Sequence, residues 1–130
     1  MTIKELAVDP YAADCPSRQV LDRIGDKWTV LIVIALTDGP RRYTELAARI
    51  ERVSQKMLTQ TLRGLERDGL VTRTVHASVP PRVDYELTPL GHSLLGPITA
   101  LEQWAMDHID EVVEARRVHD NRLADQTRTQ

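Results

Sequence analysis

The sequence predicts a mainly α-helical domain with a small β-hairpin, an α+β fold in a chain of 130 residues. Over most of the chain, apolar residues recur every three or four positions, which is the period of a helix with one buried face. Two segments, Leu70–His76 and Arg82–Leu87, instead alternate apolar and polar residues, as half-exposed strands do. The length suits one domain, and a hydrophobic fraction of 42% with a charged fraction of 28% is typical of a folded, soluble protein.

Two helices open the predicted domain. Pro16, directly after Cys15, suits the first position of a helix that ends at Gly25. The next segment, Lys27–Thr37, is apolar on nearly every face and ends at a turn of Asp, Gly and Pro, which is typical of a central buried helix. Its β-branched residues also fit a buried strand, but its length favours the helix.

A short extended stretch and a short helix follow. The segment Arg41–Tyr43 is long enough for a single extended stretch only. Thr44 can cap a helix that buries Leu46, Ala47 and Ile50.

A longer amphipathic helix comes next, and Ser54 can cap its start. It would run to Asp68 and end at Gly69, although Gly64 inside it costs about 1 kcal/mol relative to alanine. The face predicted to be buried carries Met57, Leu58, Thr61, Leu62 and Leu65. The opposite face carries Gln55, Lys56, Thr59, Gln60, Arg63 and Arg67.

The hairpin leads into the last predicted helix. Thr88 can cap this helix with Pro89 at its first position, and apolar residues then recur to Val112. Gly96 and Pro97 lie inside that pattern and predict a kink or a short break. The chain thus divides into a flexible arm at 1–14, a domain at 15–118, and a polar, frayed tail at 119–130.

Charge is distributed unevenly along the chain. Residues 40–89 carry nine Lys or Arg against six Asp or Glu, whereas residues 1–39 have a net charge of −2 and residues 90–130 of −3. The middle of the chain is therefore a basic island, which favours an anionic partner. The overall pI near 6.1 is low for a nucleic-acid-binding domain.

The order of elements is that of a winged helix-turn-helix, since two short helices precede a two-stranded hairpin. In that fold the helix Ser54–Asp68 enters the major groove of DNA, which is about 12 Å wide. Arg41 and Arg42 would lie at the DNA backbone, and Arg82 at the hairpin tip would reach phosphate or the minor groove. The candidate DNA-reading side chains are Ser54, Gln55, Lys56, Thr59, Gln60 and Arg63.

A second hypothesis belongs to another class of function. Any surface helix exposes Gln, Lys and Arg, so the winged helix could be a protein-interaction module that binds no DNA. The net charge of −2 is the best support for this alternative. A salt titration distinguishes the two, because binding through several phosphate contacts falls steeply as salt rises.

The sequence resembles the HxlR-type winged-helix transcriptional regulators of bacteria and archaea, from Cys15 to His108. One departure is Gly64, where the family usually has a stronger helix former. The stretches that carry the resemblance are Cys15-Pro16, Leu21-Asp22, Ile24–Trp28, Gly39–Leu46, Ser54–Gln60, Leu62–Val71, Val79–Thr88 and Leu90-Gly91.

The resemblance implies a homodimer that binds a pseudo-palindromic operator on double-stranded DNA, more often as a repressor than as an activator. It also implies dimerisation through the N-terminal helix and the long C-terminal helix. The apolar residues at the corresponding positions are Val20, Ile24, Ile98, Leu101, Trp104, Ala105, Ile109 and Val112.

Cys15 is the only cysteine of the chain. A thiol at a helix N-terminus, one turn from Arg18, is expected to have a lowered pKa and more thiolate. The resemblance implies a sensor of oxidants or electrophiles at this position, and the alternative is an unreactive cysteine near the dimer interface. An intramolecular disulfide is excluded, so oxidation would give an intersubunit disulfide, a mixed disulfide or an adduct.

Other functions find little support in the sequence. His108 and His119 have the spacing of ligands in related metal sensors, but the accompanying Met106 and Arg122 are not suitable ligands, so we expect no metal and no cofactor. We expect no enzyme, because the chain has neither a G-x-S-x-G elbow nor a phosphate-binding glycine loop. The start of the chain lacks the apolar block of a secretory signal, and no apolar run reaches the ~18 residues of a membrane span, so we expect a cytoplasmic protein.

Overall fold

The computed structural model describes residues 11–128, and it has the predicted mainly α-helical fold with a small antiparallel sheet. The chain forms two compact units, the first ending at Leu95 and the second beginning at Gly96. The elements are α1 (Pro16–Gly25), α2 (Lys27–Ala35), β1 (Arg41–Arg42), α3 (Tyr43–Arg49), α4 (Gln55–Arg67), β2 (Val71–His76), β3 (Arg82–Leu87), α5 (Pro89–Ser93) and α6 (Leu95–Arg128).

Helix α2 is the central element of the first unit, as its all-round apolar sequence predicts, and it is a helix rather than a strand. The side chain of Asp26 caps it by accepting a hydrogen bond from the backbone N–H of Trp28 at 2.7 Å. Ile32 and Val33 are fully buried, and the helix packs against α1, α3 and α4. Burial of each such side chain contributes about 1.5–3 kcal/mol.

Helix α3 begins two residues earlier than predicted, with Arg42 as its N-cap, and the proposed Thr44 cap is wrong. Glu45 instead reaches back and accepts a hydrogen bond from the backbone N–H of Arg42 at 3.2 Å, so Thr44 lies within the first turn. Leu46 and Ile50 are buried as expected, whereas Ala47 is exposed. Leu46 and the C-cap residue Ile50 lie four residues apart and face the core, whereas Ala47 lies on another side of the helix.

The sheet has three strands in the order β1-β3-β2, all antiparallel. The predicted hairpin is present, with Val71 opposite Leu87 and His76 opposite Arg82. The extended stretch at Arg41 and Arg42 joins it as a third strand, with Arg41 opposite Tyr85.

The break before the last helix falls at Leu94, not at Gly96 and Pro97 as the sequence predicts. Thr88 caps α5 by accepting from the N–H of Gly91 at 3.0 Å. Pro97 has no N–H to donate, so it is tolerated in the first turn of a helix and not further along. Helix α6 therefore starts two residues before this proline.

The C-terminal helix is longer than predicted, because residues 119–128 continue it instead of forming a frayed tail. These residues are exposed and mostly polar, but the stretch includes the good helix formers Arg, Leu, Ala and Gln and contains no Gly or Pro to end the helix. Residues 1–10 of the proposed arm lie outside the described residues, and residues 11–14 form turns and a bend. Within residues 11–128, no helix is both long and apolar enough to cross a membrane.

Candidate nucleic-acid interface

Helix α4 is fixed at both ends by the residues that the sequence predicts. The Ser54 hydroxyl accepts a hydrogen bond from the N–H of Met57 at 3.0 Å, and Gly69 ends the helix with a φ of 77°. On its inner side Leu58, Leu62 and Leu65 are almost wholly buried. A leucine row of this kind holds the helix firmly against the body of the first unit.

The outer side of α4 presents polar and cationic side chains to solvent. Gln55, Lys56, Gln60 and Arg63 are exposed, and Ser54 at the cap is exposed as well. Met57, which we expected on the buried face, is 37% exposed, because it lies at the edge of the leucine row. The helix thus offers amide, ammonium and guanidinium groups, which are the groups that hydrogen-bond to base edges and phosphates.

Thr59 differs from the other candidate DNA-reading residues, since it is half-buried and bonded to Tyr43. The Tyr43 hydroxyl lies 3.0 Å from the Thr59 hydroxyl and donates to the carbonyl of Gln55 at 3.2 Å. Tyr43 therefore ties the start of α3 to the first turns of α4. Sequence reasoning missed this residue, because a single tyrosine at a strand–helix junction carries no spacing signal.

The cations that flank α4 are paired to different degrees. Arg41 forms an ion pair with Glu45 at 3.5 Å. In the hairpin, Asp84 lies between two partners, with its Oδ1 3.5 Å from the Arg82 Nε and its Oδ2 2.8 Å from the His76 Nε2. The predicted wing cation Arg82 thus has a counter-charge in Asp84, a pairing that the sequence does not predict. Arg42 is exposed on the edge strand β1, where it lies opposite Asp84 in the strand register.

Arg52 lies in the turn between α3 and α4 and has a φ of 66°, a conformation that non-glycine residues rarely adopt. Its side chain is exposed and forms no hydrogen bond or ion pair with any residue in the range 11–128. It precedes the Ser54 cap by two residues. Sequence reasoning missed it because the left-handed backbone is not visible in a turn without glycine.

Cys15 is the N-cap residue of α1, and its side chain makes no capping hydrogen bond. The side chain is only 5% exposed, and its Sγ lies 3.2 Å from the Ser17 hydroxyl. Arg18, which we expected beside the thiol, instead pairs with Asp22 at 3.4 Å and donates to the carbonyl of Tyr11.

The proposed dimerisation residues fall into two groups by exposure. On α6, Leu101 and Trp104 are 62% and 57% exposed, and Ala105 and Ile109 are exposed as well. Val20 on α1 is also exposed. Ile98 is already buried at 1% exposure in the single chain, so it does not extend the exposed apolar stripe. Ile24 and Val112 are half-buried.

The histidines of α6 do not assemble a metal site in the part of the chain that the structure describes, where no group of three His, Cys, Asp or Glu side chains converges. His108 instead stacks on Trp104, with ring centroids 4.6 Å apart, and its Nδ1 bonds to the Trp104 carbonyl.

Comparison with known proteins finds transcriptional regulators that are similar to this chain in sequence and in fold. The curated relatives include the helix-turn-helix transcriptional regulator YtfH of Escherichia coli strain K12, which is 42% identical over 106 residues, 82% of this chain and 84% of that protein. Among solved structures, the transcriptional regulator YtfH of Salmonella typhimurium is 40% identical with a TM-score of 0.78, and the match covers 84% of this chain and 97% of that one.

Two further structures are of proteins studied in different redox states. The redox regulator HypR in its oxidised form is 38% identical with a TM-score of 0.66 over 72% of this chain and 96% of that chain. Diamide-treated YodB from Bacillus subtilis is 34% identical with a TM-score of 0.61 over 74% of this chain and 96% of that chain. The family model for the HxlR-like helix-turn-helix matches residues 23–113, and the chain belongs to this family.

Proposed function

We propose that the protein is a dimeric, sequence-specific DNA-binding transcriptional regulator that acts as a repressor. The observation that carries the proposal is the arrangement of α4, whose leucines are buried while its glutamines, Lys56 and Arg63 face solvent. The family to which the chain belongs and the regulators among its relatives support the proposal.

In this proposal α4 lies in the major groove, and its exposed side chains bind different parts of the DNA. Gln60 and Arg63 lie three residues apart on one face, where a glutamine can bond to adenine and an arginine to guanine. Ser54, Gln55 and Lys56 at the N-terminus approach phosphate, because the first N–H groups of a helix attract anions. Thr59 contributes its methyl group, since its hydroxyl bonds to Tyr43.

Arg41, Arg42 and Arg82 hold the DNA backbone in this proposal. Arg82 must leave the carboxylate of Asp84, or share it with phosphate, before it can contribute fully. The free energy that Arg82 contributes to DNA binding is therefore smaller than that of an unpaired arginine.

The dimer forms between two copies of this chain. The exposed stripe of Leu101, Trp104 and Ile109 on α6 is a large apolar surface for a helix in water, and a second copy would cover it. A two-fold axis places two α4 helices about 34 Å apart, one turn of DNA, which requires a pseudo-palindromic operator.

Cys15 senses oxidants or electrophiles in this proposal, and the redox states in which HypR and YodB were studied support it. Oxidation of two Cys15 thiols from two subunits forms one S–S bond, and two electrons and two protons pass to an oxidant such as diamide. At 5% exposure the thiol reacts after local opening at the start of α1. Cys15→Ser should keep DNA bound under diamide, whereas release by this variant would contradict the sensing role.

The central experiment selects bound fragments from the source genome and measures their affinity by fluorescence anisotropy. Arg63→Ala and Gln60→Ala should each weaken operator binding about 5- to 150-fold and relax sequence preference, which corresponds to ~1–3 kcal/mol for a bidentate base contact. Arg116→Ala on α6, also an exposed arginine, is the matched control and should bind normally. Unchanged affinity and preference in both variants would refute the role of α4.

A salt titration separates this function from a protein-interaction module. The logarithm of the binding constant should fall with the logarithm of salt concentration by about 0.9 for every phosphate contact. No binding to any duplex at low salt would favour the interaction module.

A further inference from the structure

Arg23 on α1 reaches across to the C-terminal half of α4. Its Nε donates to the Asp68 Oδ2 at 3.1 Å, across 45 residues of sequence. Its guanidinium also lies directly over Gly64, where a Cβ atom of any other residue would collide with it. A side chain at position 64 would push the guanidinium, which is the far end of a flexible side chain, away from its present place.

Stability alone does not explain this arrangement. The side chains of Arg23 and Asp68 are 29% and 35% exposed, and an ion pair that is open to solvent contributes little. A glycine within a helix is less favourable than alanine, so the position loses in helix propensity what the ion pair gains. The ion pair and the glycine together therefore add little to the stability of the fold.

We propose that Arg23 is a positioning residue that fixes the recognition helix α4 relative to α1, an inference that rests on the proposed function of α4 in reading DNA. Ser54 and Tyr43 hold the N-terminal turns of α4, and the contacts of Arg23 with Gly64 and Asp68 hold its C-terminal turns. Without the second attachment the buried leucines still hold α4 in place, but its C-terminal turns can rotate slightly about the leucine row.

Gly64→Ala tests the proposal because it displaces Arg23 and yet favours the helix. We expect this variant to unfold at the same temperature as the wild type or higher, while its operator affinity falls about fivefold or more, the lower end of coupling between sites. Gly25→Ala is the matched control, because a Cβ there meets no atom within 4 Å, and it should bind operator normally.

Arg23→Ala removes the same contact from the other side. We expect a similar loss of affinity, and the double variant with Gly64→Ala should lose no more than either single variant, because both act through one contact. The dependence of binding on salt should keep its slope in Arg23→Ala, since a positioning residue does not touch phosphate. A slope lower by about 0.9 would show a direct phosphate contact and overturn the proposal.

The remaining outcomes are decisive as well. Wild-type affinity in both single variants, or additive losses in the double variant, would overturn the role of Arg23 and leave the proposed function intact. Failure of the wild-type protein to bind any fragment of its genome would overturn the proposed function and this inference with it.

Discussion

Backbone strain at Arg52 predicts that glycine at this position raises the free energy of unfolding, whereas glycine at the neighbouring Glu51 should lower it. Its φ of 66° places a long side chain in the left-handed region, which costs about 1–2 kcal/mol for a residue with a Cβ. Replacement by glycine removes this cost but adds about 0.5–1 kcal/mol of backbone entropy on folding. Because the side chain is exposed and forms no hydrogen bond or ion pair within residues 11–128, the net gain of Arg52→Gly is about 0.5–1 kcal/mol.

Thermal unfolding followed by circular dichroism measures this gain, and a rise of about 2–5 °C in the midpoint is expected for a chain of this size. Glu51→Gly is the matched control, since Glu51 is exposed in the same turn and has no positive φ. That variant should be less stable than the wild type by about 0.5–1 kcal/mol. If Arg52→Gly is no more stable than Glu51→Gly, the reasoning from backbone strain is refuted.

Three further predictions concern single contacts. Tyr43→Phe removes the hydroxyl that bonds to the first turns of α4 and should lower the free energy of unfolding by about 0.5–1.5 kcal/mol in urea titrations; an unchanged midpoint would contradict it. Asp84→Asn removes the charge that faces Arg82 and should tighten binding to mixed-sequence duplex, measured by anisotropy at low salt; weaker binding would count against a wing contact with DNA. A hydrogen bond from Arg117 lowers the pKa of Glu114 below the usual value for glutamate, so the stabilisation from this pair is present at neutral pH and is lost as pH falls through that lowered pKa. NMR titration of Glu114 should show the low midpoint, and Arg117→Gln should raise it.

The sequence predicts most elements of this fold because their signals are local. A cap, a stop and an apolar face at regular spacing define α4, and each of these depends on residues within one or two turns. The helical state of α2 follows from its length and its Asp26 cap. The break before α6 falls at Leu94 and not at Pro97, because a proline is tolerated in the first turn of a helix and so does not by itself mark the boundary.

The features that the sequence did not predict depend on pairs of residues far apart or on backbone angles. The contact of Arg23 with Gly64 spans two helices, and the bond of Tyr43 to Thr59 spans two others. The pairing of Asp84 with Arg82 depends on side-chain conformation in the strand, and the left-handed turn at Arg52 depends on a backbone angle. The outer face of α4 could therefore be predicted, and its attachments could not.

The absence of a side chain at position 64 has a consequence for the history of related chains. Arginine at 23 and glycine at 64 can form this contact, but a larger residue at 64 moves the guanidinium away from its present place. The two positions should therefore have changed together during evolution. Ancestors with alanine or glutamate at 64 would then have lacked the contact that Arg23 makes here. Reconstructed ancestral sequences in which the two positions changed independently would argue that the contact was never under selection.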